Sequence, residues 1–319
     1  MADTLTAPAD AVGRRVDKLN TASLARIIDP DKDMPGGVGP GAVLPRDLLM
    51  ATAGLDEDAL DDERFATFSR LALAAITQAG LQFEAWLMAG FGLMIARADD
   101  YTDPRITYLL HEVGEETRHS RLFVRLLEQL GEPARNPMDN RLVETVGRRM
   151  VNQVVQRPPV LFTMVLAGEE IPDLLQKRAA DHPGTDPFVR EVNRYHRQEE
   201  ARHLAFARML LPEVWDRASA ADRALVWHVA PGLVREMYEN MIHAGVFGSV
   251  GLPAIGTWQK ARNHPGRVQT RVDATRPVFD VLIAAGALER GKIPQAWRGL
   301  CAVDPDGAPV SSSASPRTS

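Results

Sequence analysis

Cysteine is nearly missing from this chain. Cys301 stands alone among 319 residues. That excludes an internal disulfide framework and fits a reducing compartment such as the cytoplasm. Blocks of basic residues are missing too: 37 Lys and Arg stand against 42 Asp and Glu, for a formal charge of -5. Charge therefore gives a nucleic-acid partner no support. The N-terminal "MADTLTAPADAVGRR" has no apolar run of the kind a secretory signal needs. A clean membrane span is absent as well. The most apolar stretch, "LALAAITQAGLQFEAWLMAGFGLMIARA", carries Gln78, Gln82 and Glu84. In a bilayer it would hold a carboxylate at mid-depth, which is costly and rare. In a buried helix the same carboxylate needs a charged partner. Alternating Val/Ile/Thr runs are absent, so no strands are expected.

What remains is helix and an ordinary globular composition, with 45% hydrophobic and 25% charged residues, enough to build a core. Residues 1–45 mix Pro, Gly and Asp and read as a partly disordered arm or an extended wrap. The end of the chain, "DPDGAPVSSSASPRTS", is low in complexity, and 301–319 reads as a disordered tail. Between them, 46–300 reads as one domain. Helices are predicted near 62–98, 103–131, 138–180, 186–210, 219–246 and 273–288, separated by breakers such as "DDYTDP" and "DHPGTDP". Four long helices with short loops make an all-α fold with a four-helix bundle core of the ferritin-like kind, with additional C-terminal helices.

Two pentapeptides carry the chemistry. "EETRH" at Glu115–His119 returns as "EEARH" at Glu199–His203. At about 100° per residue, His196, Glu200 and His203 fall at roughly 0°, 40° and 340°, on one narrow stripe. Glu116 and His119, at i and i+3, share a face of the first helix. Glu112 stands one turn before Glu116, where His196 stands one turn before Glu200, so the two copies are similar but unequal. Carboxylate and imidazole at i, i+3 form the half-site of carboxylate-bridged di-metal bundles, in which two further helices give one Glu each. Helix 62–98 offers Glu84, set among apolar neighbours. Helix 138–180 offers Glu169 or Glu170; Glu169 continues the apolar stripe Phe162, Val165 and Leu166 and is preferred. Pro172 should disturb the helix there. Glu115 and Glu199 point off the ligand stripe, as orienting partners for the histidines or as interhelical ion pairs. Arg118 and Arg202 read as partners of acidic residues on neighbouring helices, not as catalytic groups. His111, His182, His228, His243 and His264 read as packing, loop or cap residues.

This ordered set resembles the ferritin-like di-iron oxygenases. Within that group, His196-x-x-x-Glu200-x-x-His203 resembles the p-aminobenzoate N-oxygenase (AurF-type) family, which adds a third histidine one turn before the second Glu-x-x-His. The resemblance covers about residues 60–210. It implies Glu84, Glu116, His119, Glu169, His196, Glu200 and His203 as ligands of two iron ions, with Glu116 and Glu200 as bridges. The same shell also suits manganese. It implies further a homodimer, dioxygen, an electron donor and a small aromatic amine oxidised through hydroxylamine to nitroso or nitro products. The residues that bind this amine are not legible. Arg271 and Arg276 are candidates for an anchor, and the side chains around Glu84 and Glu169 for an apolar pocket. Two rival readings share most of the ligands: an acyl-carrier-protein desaturase, which has no need of His196, and a ferritin-like iron store.

Overall fold

A computed structural model describes residues 11–310, apart from positions 26, 57, 132 and 140 and the side chains of 141–144. The chain is all-α. Among the described residues the only β pairing is an isolated bridge between Val303 and Pro309. Helix α1 spans Ala11–Ala25 and α2 spans Pro30–Asp33; then come α3 (Asp62–Ala96), α4 (Pro104–Leu130), α5 (Arg141–Val155), α6 (Pro158–Asp181) and α7 (Pro187–Asp216). Beyond the bundle lie α8 (Ala220–Ala224), a π turn over Leu225–Val229, α9 (Ala230–Asn240), α10 (Ala244–Gly248), α11 (Ala254–Arg262), α12 (Pro265–Ala284) and α13 (Gln295–Cys301).

The long helices start where their caps demand. Asp61 accepts from the Arg64 amide, Asp103 from Arg105, and Asp186 from Phe188 and Val189. Each satisfies an amide that the helix itself cannot. Proline sits in the first turn of α4, α6 and α7, where its missing N–H costs nothing. Helix α3 packs on α4 and α6 on α7, and α3–α6 and α4–α7 contacts close the bundle. The long crossover through α5 joins the two pairs, the connectivity of ferritin-like bundles.

Two apolar clusters lie along the bundle axis. One holds Leu87 and Phe91 of α3, Ile106–Leu109 of α4, Val160–Ile171 of α6 and Leu204–Leu211 of α7. The other holds Phe65–Ala75 of α3, Leu122–Leu130 of α4, Ala179 of α6 and Phe188–Tyr195 of α7. Helix α4 therefore runs from the first cluster to the second, and α7 from the second to the first. The two pentapeptides fall between the clusters on antiparallel helices, and this polar layer is the site.

Several elements differ from expectation. The helix predicted over 138–180 is two helices. Arg157 is extended (φ -125°, ψ 97°) before Pro158-Pro159, because a residue preceding proline is driven out of the α region. Pro172 does not interrupt α6, which runs on to Asp181. Helix α7 continues to Asp216 past Pro212. The helix predicted over 219–246 is broken by the π turn and ends at Asn240, while α12 begins at Pro265, eight residues before the predicted start at 273. In the arm, α1 lies against α4 and α7, and the segment after α2 wraps the bundle. There the Ser69 hydroxyl accepts from the amides of Val43 and Leu44, both buried. Packing also continues past 300, since Cys301 and Val303 are buried; residues 311–319 of the expected tail lie outside the described residues. Helix α3 is long and apolar enough by composition to cross a membrane, the only such helix among the described residues. In this fold it forms a wall of the bundle with Glu84 buried.

Candidate metal centre

All seven expected ligands are buried, and so are Glu112, Glu115 and Glu199. The two motif histidines have ring centroids 6.0 Å apart. Glu116 places Oε2 3.5 Å from His119 Nδ1 and Oε1 3.2 Å from His203 Nδ1. Glu200 places Oε1 3.2 Å from His119 Nδ1 and Oε2 2.9 Å from His203 Nδ1. Each of these carboxylates thus spans both imidazoles, the posture of a bridge between two cations. His196 Nε2 lies 3.4 Å from Glu84 Oε1 and 3.5 Å from Glu200 Oε1. Three groups of side chains bring ligand atoms within 4.8 Å of one another: Glu84, His119 and His196; Glu116, His119 and Glu200; and Glu112, Glu116 and His203.

The outer nitrogens of the histidines are all spoken for. His119 Nε2 lies 3.0 Å from Glu199 Oε2, and His203 Nε2 lies 2.8 Å from Glu115 Oε2. The partners assign both imidazoles as Nε2–H donors and turn Nδ1 inward, where it can hold a proton or a cation. His196 is reversed: its Nδ1 faces Gln176 Oε1 at 3.1 Å, which leaves Nε2 for the interior. The repeated arginines cross over. Arg118 of α4 donates to Glu199 Oε1 of α7 at 3.1 Å, and Arg202 of α7 pairs with Glu115 Oε1 of α4 at 2.8 Å. Both alternative readings of Glu115 and Glu199 therefore hold together, since each orients a histidine and closes an interhelical ion pair. The Tyr195 hydroxyl also donates to Glu199 Oε2 at 2.9 Å, and Ser120 donates to Glu84 Oε2 at 2.9 Å.

Glu169 and Glu170 face different surroundings. Burial, then the neighbouring Glu200 carboxylate, raise the Glu169 carboxyl well above the ordinary range. Glu170 is paired with Arg208. Arg271 and Arg276 do not reach the site: Arg271 pairs with the buried Glu239 at 3.0 Å and Arg276 with Asp280 at 3.2 Å. Of the side chains expected around a pocket, Phe83 lines one, while Trp86 is 44% exposed and Phe91, Phe162 and Leu166 are core. His243 and His264 cap α10 and α12. Sequence reasoning missed Gln176 and Ser120, which carry no motif, and it noted the spacing of Glu112 without using it.

The donors present fit a pair of cations. Both oxygens of Glu116, Oε1 of Glu200 and Nδ1 of His119 are buried with no hydrogen-bond partner, and such atoms are costly unless something satisfies them. Burial lowers the proton affinity of His119 and His203, but the surrounding carboxylates overcome it and hold both well above the ordinary histidine range. Glu199 is raised by burial but held down to about 2 by His119 and Arg118. Protons thus offset the charge of this layer where cations would otherwise do so.

A cavity of about 400 Å³ meets the cluster at Glu84, Glu169 and His196. Leu73, Ile76, Phe83 and Phe123 give it apolar walls, and Arg46, Arg178, His264 and Arg267 also line it.

The family model for P-aminobenzoate N-oxygenase AurF matches residues 58–286. Uncharacterized proteins of Mycobacterium tuberculosis and Mycobacterium bovis are each 30% identical over 214 residues, covering 62% of this chain and 59% of theirs. The chain thus matches about three-fifths of the length of these curated relatives. With the family match running through all four bundle helices and both pentapeptides, the chain belongs to the p-aminobenzoate N-oxygenase AurF family of ferritin-like di-iron oxygenases.

Proposed function

We propose that this chain is an N-oxygenase that uses dioxygen to oxidise the nitrogen of a small aromatic amine. Glu84, Glu116, His119, Glu169, His196, Glu200 and His203 would hold two iron ions, with Glu116 and Glu200 between them. Bound there, the irons supply electrons and a place for dioxygen. The observation that carries the reading is the apolar cavity meeting the cluster at Glu84, Glu169 and His196. A flat aromatic ring suits its walls, which keep water from the reacting nitrogen. His196 is held by Gln176 in the tautomer that presents Nε2 inward, a donor that a desaturase reading does not require.

Arg267 favours an amine that also carries a carboxylate. It lines the cavity, is buried, and has Nε and Nη1 without hydrogen-bond partners. Its nearest counter-charge, Glu239, is shared: Arg267 lies 3.4 Å away, Arg271 3.0 Å and Arg262 3.7 Å. Arg262 also pairs with Glu236 at 3.3 Å, and three guanidiniums against two carboxylates still leave positive charge for a ligand anion to meet. An external electron donor and a homodimer complete the reading.

The test is metal analysis of protein made in iron-rich medium, followed by reduction, dioxygen and p-aminobenzoate, with products read by mass spectrometry. Two irons per chain and hydroxylamine, nitroso or nitro products are expected. Manganese as the bound metal, a cage assembly without turnover, or oxidation of a stearoyl carrier protein instead of the amine would overturn the reading.

A further inference from the structure

We propose that Glu112 is an eighth ligand of the metal centre, held to the cation beside His203 as His196 is held to the cation beside His119. This rests on the two-metal reading above. Three observations carry it. The first is register: Glu112 precedes Glu116 by one turn of α4 as His196 precedes Glu200 by one turn of α7, and the two helices run antiparallel through the same layer. The side chains one turn before each central carboxylate therefore reach opposite ends of the cluster. The second is proximity: Glu112, Glu116 and His203 bring ligand atoms within 4.8 Å of one another, the counterpart of Glu84, His119 and His196 at the other end. The third is isolation. Glu112 is 1% exposed, and neither carboxylate oxygen has a hydrogen-bond partner. Glu115, three residues on, is equally buried but has His203 and Arg202. Buried polar oxygens with no partner are costly for a fold to keep, and a cation at His203 would satisfy them.

The consequence is a centre whose two ends are unequal in kind. The cation by His119 has an imidazole where the cation by His203 has a carboxylate. Harder, more highly charged ions suit the His203 position better. The unequal pentapeptide neighbourhoods in the sequence are then complementary halves of one site.

Anaerobic titration of the metal-free full-length protein with Mn(II), with free ion counted by electron paramagnetic resonance, tests this. Wild type should take up two ions per chain. Glu112→Gln should keep one at wild-type affinity and weaken the other at least about tenfold, the scale on which ligand-shell changes act. Glu112→His, which copies the opposite end of the site, should recover most of the lost affinity. Should Glu112→Gln fail to fold, a crystal structure of the Mn(II)-loaded wild type decides: a Glu112 oxygen within about 2.5 Å of the ion supports ligation, and a carboxylate turned away overturns it. Two ions bound by Glu112→Gln as tightly as by wild type would overturn the role of Glu112 and leave the two-metal reading standing. Failure of wild type to bind Mn(II) or Fe(II) would overturn both.

Discussion

Replacing Glu115 by glutamine or alanine measures what the crossed pentapeptides do. Glu115 accepts from His203 Nε2 at 2.8 Å and faces Arg202 at 2.8 Å, while Arg202 keeps a second carboxylate, Glu199, at 3.5 Å. Glutamine keeps the volume and an oxygen that can still accept from His203, but it removes the charge. A hydrogen bond to a charged group contributes about 1.5–3 kcal/mol and a neutral one about 0.5–1.5. The difference, roughly 1–1.5 kcal/mol, is about a tenfold loss of metal affinity at the His203 position. Alanine deletes the bond and frees the ring to turn, so a loss nearer a hundredfold is expected. Fold stability should fall less than the roughly 3–5 kcal/mol typical of a stranded buried charge, because Arg202 retains Glu199 and is 15% exposed at its side chain. The assay is metal titration of Glu115→Ala alone and in His203→Ala and His119→Ala backgrounds. If Glu115 acts through His203, its loss adds little once His203 is gone and its full effect when His119 is gone. Equal effects in both backgrounds, or wild-type affinity for two metals in Glu115→Ala, would refute the brace. Glu199→Ala should give the mirror-image result.

Gly168→Ala should narrow the cavity, since a Cβ there would run into the Phe83 ring. The expected result is a loss of about 1–3 kcal/mol in thermal stability and a raised KM for the amine, with metal content unchanged. Arg267→Met should raise KM for p-aminobenzoate at least about tenfold, the effect of one lost charge-assisted contact, and leave an uncharged aniline unaffected; equal changes for both amines would count against the anchor. Cys301 is fully buried, and burial pushes its thiol up to about 11. It should therefore stay silent to a disulfide exchange reagent at pH 8 and react as one thiol per chain after denaturation. Because the folded value is raised, the neutral thiol is favoured in the native state. Stability should fall by up to about 3 kcal/mol as pH rises from the ordinary 9 through 11, and Cys301→Ser should flatten that slope.

Helical class, the four bundle helices and the meeting of the two pentapeptides could be read from the sequence because they depend on period and spacing, which are local. The bundle helices fell within a few residues where an Asp cap and a first-turn proline mark the start, as at Asp103-Pro104 and Asp186-Pro187. The break at Arg157 escaped because only Pro158-Pro159 speaks against continuity there. Helix α12 began early because "HPGRVQT" looks like a loop until His264 is seen to cap it. Partners such as Gln176 for His196 are set by how α6 and α7 pack, and no pattern within one helix encodes that. Glu112 is the instructive case: its spacing was visible, but its isolation is a property of everything packed around it.

The layer divides into two electrostatic parts, and the division decides what the protein is without metal. Glu115 and Glu199 are balanced by Arg202 and Arg118, two negative charges against two positive. That outer ring is neutral by itself and ties α4 to α7 whether or not ions are bound. The inner set of Glu84, Glu112, Glu116, Glu169 and Glu200 has no such counter-charge, and without metal the imidazoles and the raised carboxyls of Glu112 and Glu169 take up protons instead. Removing the metal should therefore leave the helices in place and the histidines still oriented by Glu115 and Glu199, with protons in the centre. Chelated protein should keep its far-ultraviolet circular dichroism and lose only the stability that binding adds, about RT ln(1 + [L]/Kd). Unfolding on chelation would mean that the crossed ion pairs do not hold the layer and that the metals organise it.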